Sequence, residues 1–380
     1  MPKRRRRHGE RRQRLYLVFD DWCHGYSIRE VNLPLPGGDD HEHEHTAVNV
    51  IKRRFPKPLF RMVARRMWPT FFTSALGARI LAMHPRDPEG DLPGSYFPML
   101  DVRSRTIAIG PAPEWVMGTI HYLPVGQKLF ILSSQALYML CLDECCPSGD
   151  RYSSMEWSWK ELSKQPFNVE AVTSYSLLPE PEQHIFLVST KNGSTEATFA
   201  FDTDKLSWKL LGNWRLPFAG RGHYDLDLNG FVGLSREPDT LYCCCCYMPI
   251  SLNSVEGQCP PPSFNLCTVD SLLSDEQPAD MHVAGPATLV YMGSRSKFCL
   301  IQCVSVKNDG PAAADLHHKK DDEDDDACLP GHCMYRLTTF SLRLDDGKLT
   351  TRKSSKVHYY KVPKATSKSF LVEDPVAFWM

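Results

Sequence analysis

The sequence lacks most of the features that assign a protein to a functional class at sight. No stretch approaches the roughly 20 apolar residues that a membrane helix needs, and the charge is balanced, with 44 Lys and Arg against 45 Asp and Glu. A formal net charge of −1 provides no global field for nucleic acid or a membrane surface. No apolar run of signal-peptide length follows the basic start, because Leu15 to Phe19 is too short. The chain is therefore expected inside the cell, in nucleus or cytoplasm, where its 14 cysteines stay as free thiols. There is no phosphate loop, no G-x-S-x-G elbow and no H-E-x-x-H pair. No catalytic residue, metal or cofactor is assigned on this basis, although scattered loops can still assemble an active site on a fold without such motifs.

What is present is a chain of 380 residues, 42% hydrophobic, long enough to bury a sizeable core. Residues 1–14 (MPKRRRRHGERRQR) hold eight Lys or Arg and nothing apolar after Met1, so they are expected to be a disordered basic arm. Residues 15–380 are read as one domain with loop insertions at 34–50 and 307–332. LYLVFD at 15–20 and the alternating YSIREVNL at 26–33 predict a β-hairpin. Residues 51–68 are basic and ambiguous, with Pro56 and Pro58 arguing against one continuous helix.

From Phe71 a rough repeat begins. Its unit is an apolar strand ending in Asp, a short polar turn, a second strand and then proline. Phe97 to Asp101 leads to Thr106 to Pro111, Leu137 to Asp143 to Trp157 to Leu162, and Thr198 to Asp202 to Leu206 to Trp208. Leu337 to Leu342, with Asp345 to Gly347 and Val357 to Pro363, makes a further copy. A second marker, G-x-x-H-Y, opens strand pairs at Gly118 to Tyr122 and Gly220 to Tyr224. Each unit is then two hairpins, the scale of a propeller blade. Units begin near 71, 119, 171, 221 and 287. The fold class expected is all-β: a β-propeller of about six four-stranded blades. Its ring would be closed by the N-terminal hairpin and a strand from Ser369 to Trp379, leaving no open edge. The competing reading is a β-sandwich or two β domains.

The phrases YLVFDDW and GYSIREV at 16–31, AMHPRD at 82–87, FPMLDVRSRTIAIGP at 97–111, GRGHYD and GFVGLSREPDTL at 220–241, ATLVYMGSRSKFCLIQCVS at 287–305 and VHYYKVP with PVAFWM at 357–380 resemble a large family of uncharacterised plant proteins, expanded in grasses. The resemblance covers nearly the whole chain after the basic arm. It implies a propeller of kelch-like or F-box-associated-like type, and it brings no catalytic residue with it. No F-box helix pattern precedes the repeats, so a ubiquitin-ligase adaptor role is not implied.

Several clusters carry residue types capable of chemistry. The arm Lys3, Arg4, Arg5, Arg6 and Arg7, with Arg11, Arg12 and Arg14, suits nuclear import or phosphate contact, against a plain solvated tail. Asp321 to Asp326 lacks the glycine turn and spaced ligands of a calcium loop and reads as a solvated insertion. His41, His43 and His45 stand about 7 Å apart if extended, too far to share one tetrahedral ion without bending. Cys243 to Cys246 lack the spacer of a zinc knuckle and read as small buried hydrophobes. His121 and His223 would face the central channel of a ring. Packing histidines held by backbone are favoured there over an anion or metal site shared with Arg221.

The function expected is a non-catalytic interaction scaffold, monomeric and away from membranes, that binds a protein on one ring face. Arg221, His223, Asp225, Arg236 and Arg295 are the candidate contacts. The alternatives are a metal-dependent or carbohydrate-active propeller enzyme using the channel histidines, and a nuclear nucleic-acid-associated protein using the basic arm.

Overall fold

A computed structural model describes residues 13–21, 24–33, 52–64, 71–83, 96–113, 119–144, 155–237, 240–248, 257–268, 281–293, 295–306, 333–351 and 355–380. The basic arm Lys3 to Arg7, the insertions 34–50 and 307–332, the alternating histidines and the Asp321 to Asp326 tract lie outside these residues. The rest is nearly all β, in several small antiparallel sheets. No helix among the described residues is long and apolar enough to cross a membrane.

The strands fall into six units. The first comprises β1 (Leu15–Asp20), β2 (Tyr26–Val31) and β4 (Phe60–Met62), with β3 (Lys52–Arg54) leaving for another sheet. Unit II holds β5 (Phe71–Ala75), β6 (Arg79–Met83), β7 (Tyr96–Asp101) and β8 (Thr106–Pro111). Unit III holds β9 (Ile120–Val125), β10 (Lys128–Ser133), β11 (Leu137–Glu144) and β12 (Met155–Glu161). Unit IV holds β13 (Val172–Leu177), β14 (Ile185–Asn192), β15 (Thr195–Asp202) and β16 (Ser207–Gly212). Unit V holds β17 (Ala219–Asp225), β18 (Gly230–Glu237), β19 (Thr240–Tyr247) and β20 (Ser263–Thr268). Unit VI holds β21 (Met281–Tyr291), β22 (Lys297–Val306), β23 (Cys333–Asp345), β24 (Lys348–Thr351) and β25 (Lys356–Lys361). A helical turn α1 (Lys368–Leu371) precedes β26 (Ala377–Trp379), which pairs antiparallel with β1, Leu15 opposite Trp379, and completes unit I.

The second-position strands explain the packing. They are apolar at nearly every residue because both faces are covered. Side chains alternate faces along a strand, so each such strand feeds two cores. In β10, Leu129 and Ile131 join a cluster shared with unit II, while Phe130 and Leu132 join one shared with unit IV. In β1, Leu15, Leu17 and Phe19 pack with residues of unit VI, and Tyr16 and Val18 with those of unit II. The same division puts Ile185 and Leu187 of β14 against unit V. It also puts Phe298 and Leu300 of β22 against unit V. Fully burying one Leu or Phe contributes about 1.5–3 kcal/mol, so these alternating runs dominate the cohesion between units.

The recurring aspartate is a turn device. Asp101 accepts the backbone N–H groups of Arg103 and Ser104, and Asp202 those of Asp204 and Lys205. Asp225 accepts that of Leu228. In each case the fourth residue on (Arg105, Leu206, Asn229) takes a positive φ of 59°, 53° and 51° and turns the chain back. Short polar side chains that bond backbone two or three residues ahead favour this geometry. Asp345 ends its strand differently, in a two-residue turn with Asp346 and Gly347 both at positive φ.

Two expectations need correction, and one open stretch is settled. Units IV and V are one eight-stranded sheet, because β13 and β17 pair in parallel over Ser174–Ser176 and Gly220–Gly222. The ambiguous stretch 51–68 holds, among its described residues, two short strands, and β3 pairs in parallel with β25. Of Ser369 to Trp379, only Ala377–Trp379 is strand. The preceding residues turn helically where Ser367 caps the turn by accepting the Phe370 N–H. Ser367 also donates to the Asp20 carboxylate at 2.9 Å.

Candidate functional site

A cleft of about 920 Å³ lies between units IV and V. Its floor is apolar, with Leu178, Ile185, Ala200, Phe231 and Met248. Its rim is polar and of mixed sign, with Glu182, His184, Asp202, Lys205, Lys209, Tyr224, Asn229 and Tyr247. This size and lining suit an elongated ligand gripped by apolar contact and oriented by a few polar groups. Because β13 and β17 run parallel, the turns that follow them leave the sheet at the same end, and the cleft opens there.

His184 and Asp202 of one wall cluster with Asp204, the ligand atoms of all three lying within 4.8 Å of one another. Burial alone would push the Asp202 carboxyl up, but N–H bonds from Lys205 and Asp204 and the Lys205 charge outweigh it, so its pKa is lowered. The Lys205 ammonium stands 3.1 Å from Asp202 Oδ2. A cation entering this cluster would have to displace that ammonium.

The contacts expected from sequence separate into three places. Asp225 is buried at 1% exposure, and its Oδ1 accepts from Ser296 Oγ at 2.6 Å and Leu228 N at 2.9 Å. That bond pins the β21–β22 turn, which carries exposed Arg295 at φ 66°, to the end of unit V where the cleft opens. Arg221 and His223 lie further back along β17. Arg221 is exposed and lines a small recess with Tyr175, Ser176 and Pro124. Arg236 sits near the far end of β18, opposite Leu241, and so at the other end of the sheet from Asp225. The set does not converge on one point; only Asp225 and the Arg295 turn meet.

The marker histidines pack. His121 is held by a backbone bond to Val169, and burial lowers its pKa. His223 is held by a backbone bond to Leu289, and burial followed by the Arg221 charge lowers its pKa to about 3. Both imidazoles are neutral at pH 7, and each bonds the segment that begins the next unit. Cys243 and Cys245 fall in the core between units V and VI, Cys244 and Cys246 in the core between IV and V. Burial pushes all four thiols up, Cys244 to about 12 and Cys245 to about 11, as expected of small hydrophobes.

The match to known families rests on the whole β array. A family model described as a protein of unknown function (DUF1668) matches residues 12–360. The chain belongs to the DUF1668 family. No curated protein matches the chain. The matched range takes in the cleft and every unit except β26 and the last residue of β25, but it assigns no chemistry to them. The cleft itself was not anticipated, because its lining comes from several turns and strands of two units with no shared motif. The only sequence signal was the Asp202 turn, which repeats elsewhere for purely structural reasons.

Proposed function

We propose that this DUF1668 chain is a closed, kelch-like propeller of six blades that acts as a non-catalytic interaction scaffold. The closure is supported by six apolar clusters, each shared by successive units, including those between VI and I and between I and II. The antiparallel pairing of β26 with β1 supports it too. The observation that carries the functional reading is the amphipathic cleft between units IV and V. A protein partner would lay an extended segment along its apolar floor, with Lys209 and Tyr224 at its rim, and continue past the Arg295 turn, which the Ser296–Asp225 bond ties to the same end of unit V.

The test is capture of the partner by the full chain, followed by affinity measurement with the purified pair. Lys209→Glu combined with Arg295→Glu is expected to weaken binding by about tenfold or more, or ~1.4 kcal/mol. Arg236→Glu, at the opposite end of the sheet, is expected to leave it unchanged. Equal affinity in all three proteins would remove the cleft from the reading. A plant origin, an intracellular monomer and import through Lys3 to Arg7 are parts of the same proposal. Localisation of a chain lacking residues 1–14 tests the last.

A second reading, a metal-dependent enzyme, has the His184, Asp202 and Asp204 cluster in its favour. It moves the metal from the channel histidines to the cleft wall. Stoichiometric metal in the purified protein, lost in His184→Ala, would favour it.

A further inference from the structure

We propose that Cys333 and Cys303 form a peroxide-responsive pair, with Cys333 as the site of oxidation and Cys303 as the thiol that resolves it to a disulfide. β22 and β23 pair with Cys303 opposite Tyr335 and Ser305 opposite Cys333, so the two cysteines are diagonal neighbours on adjacent strands. Residues two apart share a strand face, which places both thiols on the face that packs against unit I. Cys303 lies in that core at 1% exposure, and Cys333 packs against it at the rim, half-buried and within reach of a small oxidant. The Cys303 thiol donates a hydrogen bond to the Cys333 sulfur.

That bond holds the Cys333 thiol down at about 7. Cys243 to Cys246 and Cys299 are pushed up by burial. Cys333 therefore carries more of the reactive thiolate near neutral pH than an ordinary cysteine with pKa about 8.5. Diagonal neighbours stand roughly 7 Å apart at Cα, just beyond the range of about 4.4–6.8 Å that disulfides span. Closure therefore asks for a small approach of the strands. Cys333 is the first residue of β23, where such a shift disturbs the fewest ladder bonds.

The chemistry balances with hydrogen peroxide as oxidant. The Cys333 thiolate attacks one peroxide oxygen, the O–O bond breaks, and the departing hydroxide takes a proton to become water, leaving a sulfenic acid. The Cys303 sulfur then attacks the Cys333 sulfur. The S–S bond forms, the S–O bond breaks, and the departing hydroxide takes the Cys303 thiol proton as a second water. Two thiols are oxidised and one peroxide is reduced. The bond would staple the two strand ends at the base of segment 307–332, which carries Asp321 to Asp326. These strand ends lie at the opposite end of unit VI from the Arg295 turn, so this inference stands or falls apart from the cleft.

The test is brief treatment of the full chain with dilute hydrogen peroxide at neutral pH, then intact mass and peptide mapping under non-reducing conditions. The expected result is the loss of two hydrogens, reversed by dithiothreitol, and a linked peptide pair containing Cys303 and Cys333. Cys303→Ala is expected to stop at a Cys333 sulfenic acid that dimedone traps. Cys333→Ser, at the half-buried position and checked for an unchanged circular dichroism spectrum, is expected to take up neither modification. Linkage of Cys333 to Cys328 instead, no linkage at all, or a Cys333→Ser protein that still loses two hydrogens at Cys303 would overturn the proposal.

Discussion

Thr198→Val removes one hydroxyl from a site that no solvent reaches. Thr198 Oγ1 donates to the Trp214 carbonyl at 2.6 Å and pairs with Ser189 Oγ at 2.8 Å. Ser189 Oγ in turn accepts the Leu216 N–H at 3.0 Å. Thr198 and Ser189 are both 0% exposed. This relay seats the segment that carries Trp214, Leu216 and Phe218, all members of the core between units IV and V. Valine keeps the shape but leaves a buried carbonyl and a buried serine hydroxyl short of partners. Each such loss costs about 1–3 kcal/mol, so the expected destabilisation is roughly 2–6 kcal/mol. Ser189→Ala strands the Leu216 N–H and has a cost of the same order. Because the two variants break one shared bond, the double variant is expected to fall short of their sum by about 1–2 kcal/mol. Urea unfolding followed by tryptophan fluorescence measures all three. A Thr198→Val midpoint equal to wild type, or strict additivity in the double variant, would refute the relay.

Other substitutions probe the turns, the close packing and the buried imidazoles. Leu206→Gly relieves a side chain held at φ 53° and is expected to stabilise by about 1 kcal/mol; Asp101→Ala, which strands two turn N–H groups, is expected to destabilise by about 1–2 kcal/mol. Both are read by thermal or urea melts, and a reversed sign in either would count against the turn device. Gly233→Ala would place a Cβ 2.5 Å from Phe218 Cγ. It is expected to cost about 1–3 kcal/mol by overpacking, read by the same melts. With the His223 pKa lowered to about 3 in the folded chain, the unfolded chain binds the proton first as pH falls. Stability is therefore lost from the ordinary histidine range near 6.5 downward. His223→Gln is expected to flatten the fall between pH 7 and 4 by about 1–2 kcal/mol after allowing for the ring's partial exposure. An unchanged slope would mean that this imidazole does not govern it. The alkylation midpoint of Cys333 is expected near pH 7 and to rise in Cys303→Ala.

The all-β class, most strand positions and the alternation of the cysteine run were legible in the sequence. They depend on local rules: side chains alternate faces along a strand, and aspartate followed by a left-handed residue makes a short turn. The run Cys243 to Cys246 illustrates this, since period two alone sends odd and even thiols to different cores. The parallel pairing of β13 with β17, the long reach of β3 to β25 and the cleft were not legible. Each brings together residues far apart in sequence through the packing of neighbouring units, and no local periodicity encodes which turns will face one another. The same holds for the predicted contacts. Sequence could place Arg221, Asp225, Arg236 and Arg295 near strand ends. The antiparallel register decided that Arg236 sits at the other end of its sheet from Asp225, and the Ser296 bond decided that Asp225 is a buried strut. Strands and turns follow from neighbours along the chain; a binding face follows from which strand ends the packed core brings to the same side.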